Sequence, residues 1–424
     1  MPRFRGGVHP KERKLTASKP IEKARLPEKV VIPLRQHVGA PCEPLVKVGD
    51  VVKTGQKIGD SPAKVSAPVH ASISGTVSGI SSELSPSGEF ITCITITSDG
   101  KDERVELPPL SPDAPKEALL ERIREAGVVG MGGAGFPTHV KLNPPKPVHT
   151  LLVNGVECEP YITSDHRLML EFPQEIAEGT KIAARILGVR RVIVAVEDNK
   201  PDAAEKMGEV MRGFAEVKLL KTRYPRGDER HLIRSVLGVE VPAGGLPFDV
   251  GVVVQNVATL KAISDALKGR TLVERVVTVT GDVAQPKNLM VRVGTLFSDL
   301  LQQCGGATKG PAKLIAGGPM MGVALSGDAP VAKTTGNVLV MGEVKEEPES
   351  PCIRCGRCLE VCPMGLMPTL LAKLVRAGRY EDCLSGNILS CDECGCCAYI
   401  CPSRIPLVHL MREGKLKASA LVKR

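Results

Sequence analysis

A motif of four cysteines occurs twice in this chain and constrains its fold more than any other feature. Both copies read C-x2-C-x2-C-x3-C-P, and their cysteines are Cys352, Cys355, Cys358, Cys362, Cys391, Cys394, Cys397 and Cys401. The spacing is that of bacterial loops that bind [4Fe–4S] clusters, in which soft thiolates ligate the irons. The sequence therefore predicts two four-iron clusters within residues 351–402.

The fourth cysteine of each copy precedes a proline and, in proteins with two such clusters, ligates the other cluster. We therefore expect one cluster on Cys352, Cys355, Cys358 and Cys401, and the other on Cys391, Cys394, Cys397 and Cys362. Structural zinc and disulfides are the alternatives. Zinc rarely takes three ligands from so tight a run, and the repetition of one spacing favours iron–sulfur clusters.

The composition of the chain bounds its size and its setting. Its 424 residues are enough for about three domains. Six further cysteines are scattered, which fits small buried hydrophobic residues better than a disulfide framework; they are Cys42, Cys93, Cys158, Cys304, Cys383 and Cys396. Cys396, between two predicted ligands, is interpreted as an inert thiol. Cluster assembly implies a reducing, cytosolic setting.

Neither a secretory signal nor a transmembrane helix is predicted, because residues 1–10 lack an apolar run and no stretch approaches 18 apolar residues. The net charge is +9. Basic residues gather at both ends, at Arg3, Arg5, Lys11, Arg13, Lys14, Arg412, Lys415, Lys417, Lys423 and Arg424. These ends are either solvated or dock on an acidic protein or an anionic membrane. Nucleic acid is disfavoured, because aromatic residues are not interleaved with the charges.

The N-terminal quarter predicts an arm followed by a small all-β unit. Residues 1–28 are basic and rich in proline, which is typical of an arm that lies on another surface. Short apolar runs then alternate with turns, with strand candidates at 46–48, 51–52, 65, 69, 73, 77 and 91–96. The stretches "VKVGDVVKTGQKIGD" and "APVHASISGTVSGI" resemble the barrel-sandwich of biotinyl and lipoyl domains. Here the hairpin tip carries His70 in place of the modified lysine, so we expect a structural module.

The next stretch predicts a parallel α/β sheet. A helix at 116–126 precedes strands at 149–154, 191–196, 215–220 and 250–254, which alternate with helices at 164–187 (broken near Pro173), 201–212, 227–237 and 256–267. Ligands bind such sheets at the carboxyl ends of their strands. Three polar groups follow strand ends or precede helices: Asn154, Glu157 and Glu159; Gly227, Asp228 and Glu229; Gln255 and Asn256. Alone, each group could be a helix cap or a solvated loop.

A glycine-rich loop precedes this sheet. It reads "GMGGAGFPT" and holds Gly130, Gly132, Gly133 and Gly135. The loop matches G-x-G-x-x-G, but it follows a helix rather than a strand, so an ordinary turn-rich loop is the alternative. Four glycines in six residues let backbone N–H groups approach an anionic or flat cofactor, and Lys141 adds charge for a phosphate. Together with the polar groups, the loop favours a cofactor cleft.

Four stretches, "GMGGAGFPTHVK", "VNGVECEPYITSD", "YPRGDE" and "VVVQNVATL", resemble the FMN- and NADH-binding flavoprotein subunit of respiratory complex I. The family often has arginine where Met131 stands and an acid where Val156 stands. The resemblance implies non-covalent FMN, NAD(H) as substrate and no catalytic acid or base. It assigns cofactor binding to Gly130, Gly132, Gly133, Gly135, Lys141, Asn154, Glu157, Glu159, Gly227, Asp228, Glu229 and Asn256. The two glutamates are expected to bind NADH ribose hydroxyls rather than FMN.

Residues 273–345 resemble the β-grasp, soluble-ligand-binding-like module of the same flavoprotein subunits, with a short helix at about 295–303. A polar linker at 344–351 and an amphipathic helix at about 367–377 complete the pattern. The order of these parts, with "FRGGVHP" at the start, resembles the RnfC family, which supplies one subunit of the Rnf ion-translocating ferredoxin:NAD oxidoreductase complexes.

That resemblance implies an α/β multidomain fold in four parts: a basic arm and barrel-sandwich domain (1–107), an FMN/NADH-binding α/β domain (108–270), a β-grasp domain (271–345) and a helical, ferredoxin-like domain with two [4Fe–4S] clusters and a basic tail (346–424). It also implies a peripheral subunit on the cytoplasmic face of the membrane, beside flavoprotein, ion-translocating and ferredoxin-like subunits. Alternatives are a soluble flavoprotein resembling cobalamin reductases and an electron-relay scaffold without NAD binding.

Overall fold

The computed structural model describes residues 4–310, 313–342 and 347–422. Three of the basic terminal residues, Arg3, Lys423 and Arg424, lie outside these ranges, as do residues 344–346 of the predicted linker.

The N-terminal part is built from short strands around an aliphatic core. They are β1 (Ile21–Lys23), β2 (Lys29–Pro33), β3 (Glu43–Pro44), β4 (Val51–Val52), β5 (Lys57–Asp60), β6 (Val69–His70), β7 (Gly75–Leu84) and β8 (Phe90–Ser98). An antiparallel sheet in the order β2-β8-β7-β4 faces a smaller sheet in the order β3-β5-β6, with Ile32, Ile58, Ile73 and Ile94 buried between them.

Two details of the predicted β unit differ. The predicted strand at 46–48 is wrong, because this segment runs into a tight turn in which Asp50 N donates to Lys47 O, and Val48 is 59% exposed. The isolated candidates Val65 and Ile73 also lie outside strands. His70, at the hairpin tip that carries the modified lysine in biotinyl and lipoyl domains, is 4% exposed and packs against Gly127. The tip is therefore buried inside the molecule, as expected of a structural module.

The central part is a parallel sheet with crossover helices. Its elements are α1 (Lys116–Glu125), α2 (Thr138–Lys141), β9 (Thr150–Gly155), α3 (Ser164–Glu171), α4 (Pro173–Leu187), β10 (Arg191–Glu197), α5 (Pro201–Val210), β11 (Glu216–Leu220), α6 (Glu229–Leu237), β12 (Val252–Asn256) and α7 (Val257–Leu267), with a 3-10 turn at Pro247–Val250. The strand order is β11-β10-β9-β12, with every pair parallel. These elements confirm the predicted alternation. The break before α4 arises because Pro173, which has no N–H, suits the first turn of a new helix.

A second, mixed sheet follows. Its elements are β13 (Glu274–Gly281), β14 (Lys287–Arg292), α8 (Phe297–Gln303), β15 (Lys313–Ala316), β16 (Val323–Leu325) and β17 (Asn337–Met341). Strand β1 of the N-terminal arm completes this sheet, which has the order β1-β14-β13-β17-β15-β16. Because β1 pairs in parallel with β14, the predicted arm lies on a distant part of its own chain.

The C-terminal part is helical and carries both cysteine motifs. Its elements are α9 (Arg357–Glu360), α10 (Pro368–Arg376), α11 (Tyr380–Ser385), a 3-10 turn at Ile388–Ser390, α12 (Cys396–Ile400) and α13 (Leu407–Val422). Leu371, Val375, Ile388 and Leu407 form part of its core. Helix α10 confirms the amphipathic helix predicted between the motifs. Among the helices that the structure describes, none has both the length and the apolar character needed to cross a membrane.

Candidate functional site

The carboxyl ends of β9 and β12 bring two predicted asparagines side by side. Asn154 and Asn256 are directly paired in the sheet register. Asn256 Oδ1 accepts from Ala258 N at 2.9 Å and so caps α7, while its Nδ2 donates to Asp165 Oδ2 at 2.6 Å. The glycine-rich loop reaches the same place, because a Cβ on Gly132 would lie 2.7 Å from Asn256 Nδ2. Loop and strand ends therefore share one edge of the sheet.

The glycine-rich loop is anchored at its base and open at its tip. Gly130 N donates to Phe136 O at 2.9 Å, and Met131 N donates to Thr259 Oγ1 at 2.9 Å. Gly132 and Gly133 are exposed, and their N–H groups donate to no acceptor within the described ranges. No atom lies within 4 Å of a Cβ placed on Gly133. This open, donor-bearing backbone fits an anionic or flat ligand.

The base of the loop also touches other parts of the chain. Gly135 has φ +70, and a Cβ on it would lie 2.8 Å from Thr334 Cγ2 and 3.1 Å from Gln36 O. The left-handed conformation and these contacts require glycine here. The loop is therefore set jointly by the N-terminal β unit and the second sheet.

The second predicted polar group lies against the first. Asn154 Nδ2 donates to Gly227 O at 2.9 Å, and Asp228 caps α6 by accepting from Arg230 N at 2.9 Å. Burial raises the pKa of Asp228. In the third predicted group, the Nε2 atom of Gln255 is buried with no hydrogen-bond partner in the described part of the chain. No hydrogen bond in the described part of the chain therefore links this amide to the glycine-rich loop.

Lys141, predicted for the FMN phosphate, lies beside this edge as well. Its Nζ atom is 2.9 Å from Glu229 Oε2, and both side chains are partly exposed, by 24% and 34%. The pair brings two predicted cofactor residues together, with the cation held by a carboxylate. A phosphate would have to replace or join Glu229 as its partner.

The two predicted glutamates already bind protein donors. Glu157 Oε1 accepts from Asp165 N at 2.8 Å and thereby caps α3. Glu159 Oε1 accepts from Met320 N at 2.6 Å and Met321 N at 3.2 Å, after β15, and burial raises its pKa. Both hold structure in this conformation, and their contact with ribose hydroxyls stays a prediction.

Sequence reasoning missed three charged residues behind the cleft. Asp165 is half-buried beside Glu157, and desolvation together with this like charge raises its pKa to about 7. Arg275 Nη1 donates to Lys333 O at 2.5 Å and Met131 O at 3.5 Å, which links the second sheet to the glycine-rich loop. Asp165 stood within one of the quoted motifs, whereas nothing local marked Arg275, whose partners are distant in the sequence.

Lys14 is the third missed residue. Its buried Nζ atom donates to the carbonyl oxygens of Glu157 at 2.8 Å, Glu159 at 2.9 Å and Ile162 at 2.7 Å. The N-terminal arm thus fixes the loop that follows β9. At the other end of the chain, Lys415 pairs with Glu393 at 3.0 Å. Lys14 and Lys415 therefore bind groups of this chain, so neither is available to dock on another surface.

The cysteines of one of the two predicted sets line a common cavity. A cavity is lined by Cys362 of the first motif together with Cys391, Cys394 and Cys397 of the second. Burial raises the pKa of Cys391 to about 11 and of Cys397 to about 12. A bound cation such as iron would stabilise the thiolates of these two residues.

In the other set, Cys358 is buried and Cys401 is partly exposed. Cys352 is partly exposed and Cys355 exposed. All fourteen cysteines are free thiols. Cys362 therefore lies with the second motif, the ligation of Cys401 by the first motif stays a prediction, and the cysteines form no disulfide framework.

The cavity of Cys362, Cys391, Cys394 and Cys397 adjoins the α/β sheet. Tyr224 Oη donates to Cys394 O at 2.7 Å, and His231 Nε2 is 2.9 Å from Asp392 Oδ2. Gly227 N, which neighbours the cleft, donates to Cys158 Sγ at 3.3 Å, and Cys158 packs with Tyr224 and Cys394. One continuous set of contacts therefore runs from the cleft edge to the cysteine cavity.

Three family models match the chain. The Nuo51 FMN-binding domain matches residues 123–265, the RnfC barrel sandwich hybrid domain matches 2–101, and the SLBB domain matches 276–324. These matches confirm the predicted barrel-sandwich, the FMN-binding domain and a multidomain mixed α/β fold.

Curated relatives match over most of their length. The C-subunit of the proton-translocating ferredoxin:NAD(+) oxidoreductase complex of Clostridium ljungdahlii is 49% identical over 391 residues, covering 89% of this chain and 86% of the relative. The C-subunit of the Na(+)-translocating complex of Acetobacterium woodii is 42% identical over 401 residues, covering 91% and 90%.

Among solved structures, an NAD+-reducing [NiFe]-hydrogenase in the H2-reduced state is similar, with a TM-score of 0.50 at 20% sequence identity. The similarity covers 73% of this chain and 62% of the hydrogenase chain. It concerns the fold alone.

Proposed function

Because the chain belongs to the C-subunit family of ion-translocating ferredoxin:NAD(+) oxidoreductase complexes, we propose that it carries electrons between NAD(H) and two [4Fe–4S] clusters through non-covalent FMN. It is an electron-transfer subunit of a translocase, and its partners are the other subunits of the complex: flavoprotein, ion-translocating and ferredoxin-like subunits. We assign it to the cytoplasmic face of the membrane as a peripheral subunit.

The observation that carries this proposal is the contact between the cleft and the cysteine cavity. A hydride donor gives two electrons at once, whereas an iron–sulfur cluster takes one. FMN, when bound, supplies the conversion between the two. The cleft edge at Gly227 and the cavity at Cys394 lie on either side of Cys158 and Tyr224. A short covalent and hydrogen-bonded route therefore joins the two regions.

The residues of the cleft divide by their chemistry. The open backbone N–H groups of Gly132 and Gly133 and the ammonium of Lys141 suit the FMN phosphate and ring, because they donate hydrogen bonds or carry positive charge, while Gly130 and Gly135 shape the base of the loop. Asn154 and Asn256 add neutral amides at the strand ends. Glu157, Glu159, Gly227, Asp228 and Glu229 are assigned to the nicotinamide nucleotide side, where carboxylates accept hydrogen bonds from ribose hydroxyls. No acid or base is needed for hydride transfer.

The cysteines are assigned to two clusters with crossed ligation. Cys362, Cys391, Cys394 and Cys397 would hold the cluster next to the α/β sheet, which we call the inner cluster. Cys352, Cys355, Cys358 and Cys401 would hold the outer cluster. The shared cavity of the first set supports this assignment. With it we assign four domains, at 1–107, 108–270, 271–345 and 346–424, the last a ferredoxin-like helical domain.

Iron and flavin content test the cofactors. Protein purified or reconstituted without oxygen should contain about eight irons and about one FMN per chain, with spectra of [4Fe–4S] clusters. Iron would be measured colorimetrically and flavin after acid release. About four irons, or a [2Fe–2S] spectrum, would contradict the assignment of the cysteines.

Two other functions are less well supported. A soluble flavoprotein resembling cobalamin reductases is not favoured, because the matching relatives are subunits of ion-translocating complexes. A relay scaffold without NAD binding would show clusters but no flavin and no NADH oxidation. NADH:ferricyanide activity of the purified protein separates this scaffold from the proposed enzyme.

Attachment to the membrane gives a further prediction. Since no helix in the described ranges can span a bilayer, we expect attachment through partner subunits and charges. Washing membranes with high salt or alkaline carbonate should lower the amount retained about tenfold, because salt screens exposed ion pairs. Immunoblots of pellet and supernatant would show this, with an integral subunit as the control. Retention equal to that of the integral subunit would refute the expectation.

A further inference from the structure

The two cysteine loops share one backbone but differ in what covers them. Positive φ angles recur at Arg354 and Glu393 (57° and 55°) and at Gly356 and Gly395 (76° in both). We call residues 353–357 the outer loop and the equivalent residues 392–396 the inner loop. The repeated backbone shows that these loops are two copies of one structure, so their surroundings can be compared position by position.

The residues that the structure describes cover the inner loop and leave the outer loop open. A Cβ on Gly395 would lie 2.9 Å from Met320 O, whereas no atom lies within 4 Å of a Cβ on Gly356. Cys394 is 9% exposed, while its equivalent Cys355 is exposed. The loop surface that Met320 of the second sheet covers in one copy is therefore open in the other.

The residues of the two loops differ in chemistry as well. The inner loop carries Asp392, which bonds His231, and Glu393, which pairs with Arg412 and Lys415. The outer loop carries an isoleucine and an arginine at the equivalent positions, and its isoleucine is 67% exposed. The two acids of the inner loop thus have basic partners within this chain. The isoleucine and arginine at the equivalent positions of the outer loop suit a partner of different chemistry.

The charges around the outer loop are basic and uncompensated. Arg354 and Arg357 are exposed and form no salt bridge with any residue that the structure describes. One acid lies near them, Glu360 at the end of α9. Leu359, 38% exposed, adds apolar surface beside Ile353. The outer loop therefore presents an apolar centre with a basic rim, which complements an apolar centre with an acidic rim.

We propose that the outer loop docks an electron-transfer subunit of the same complex, whose redox group lies beneath an acidic surface with an apolar centre. This inference rests on the proposed function, because it makes the outer cluster the point at which electrons pass to another protein. A folded protein is favoured over a lipid surface. Lipid attachment typically uses an amphipathic helix or a cluster of four or more basic residues, whereas here two arginines flank one isoleucine in a shaped loop.

Exchange of the inner loop's residues into the outer loop tests the proposal. The double variant Ile353→Asp and Arg354→Glu gives the outer loop the two residues that the inner loop has at the equivalent positions. The backbone tolerates both changes, because Glu393 adopts the same positive φ angle as Arg354. The probes are membranes from cells that lack this subunit and vesicles made from the lipids of those membranes. We expect the double variant to bind the membranes about tenfold more weakly or worse, with unchanged binding to the vesicles.

Controls separate docking from folding and from the proposed function. Iron content, the cluster EPR spectrum and NADH:ferricyanide activity should match those of the unaltered protein. Leu416→Asp, at a residue that is 71% exposed on α13 of the same part of the chain, should bind the membranes normally. Arg357→Glu is the second variant if the double variant loses iron, and it should also weaken binding. An unaltered protein without clusters or NADH oxidation would refute the proposed function itself.

Three outcomes would overturn the docking proposal alone. The first is normal membrane binding by a double variant that has intact iron and NADH activity. The second is an equal loss of binding to lipid vesicles, which would identify a lipid contact. The third is a loss of self-association, measured by analytical ultracentrifugation, which would identify a second copy of this chain as the occupant.

Discussion

Replacement of Gly133 by valine is expected to abolish FMN binding and NADH oxidation while both iron–sulfur clusters remain. No atom of the described residues lies within 4 Å of a Cβ at this position, and the φ angle of Gly133 is not positive. The valine therefore causes no clash or strain of its own. Its side chain instead fills the space in which a flat cofactor would approach the open N–H groups of the loop.

Flavin content after acid release and NADH:ferricyanide activity would measure the effect. We expect FMN occupancy to fall at least about tenfold, since a buried clash commonly costs more than the 1.4 kcal/mol that corresponds to this factor. Gly208→Val is the matched control, because Gly208 in α5 also has open space around a Cβ and lies away from the loop. Full flavin occupancy in the Gly133 variant would place the cofactor elsewhere.

Replacement of Cys362 by serine should remove the inner cluster, although Cys362 belongs to the first motif. Its thiol lines the same cavity as Cys391, Cys394 and Cys397, and a serine hydroxyl is a harder, poorer ligand for iron. Iron should fall from about eight to about four per chain. The EPR spectrum of the remaining cluster should match that of a Cys394→Ser variant.

Two reference variants make this assignment decisive. Cys355→Ser should lose the outer cluster and so show the complementary spectrum. Cys383→Ala alters a buried thiol of the same part of the chain that belongs to neither motif, and it should keep all of the iron. If Cys362→Ser instead gives the spectrum of Cys355→Ser, ligation does not cross between the motifs.

Periodicity and spacing predicted the elements that local sequence determines. The helices and strands from β9 to α7 were predicted because each strand is a short apolar run and each helix has a repeat near 3.6 residues. The pairing of Cys362 with the second motif was expected from spacing alone. The strand predicted at 46–48 failed, because apolar residues there precede a turn, and propensity does not show which side chains the fold leaves exposed.

The roles of several charged residues could not be predicted, because they depend on contacts between distant parts of the chain. Lys14 lies 143 residues from Glu157, whose carbonyl it binds. Glu157 accepts from Asp165 N at the start of α3 and Glu159 accepts from Met320 N, two structural roles that the sequence did not show, while their contact with ribose stays a prediction. Which donors reach a carboxylate is decided by how separate modules pack, and no local pattern encodes that packing.

Electron flow from the clusters to NAD+ tests the central claim most directly. Protein would be reduced without oxygen by dithionite, freed of excess reductant and mixed with NAD+, while absorbance is followed at wavelengths for NADH and for the clusters. With FMN bound, NADH should form as the clusters reoxidise. The two one-electron clusters should yield about one NADH per chain, in addition to the NADH that the reduced flavin yields. The Gly133→Val protein, with clusters but no flavin, should form none. NADH formation at an equal rate without flavin, or clusters that stay reduced beside reoxidised flavin, would contradict the account.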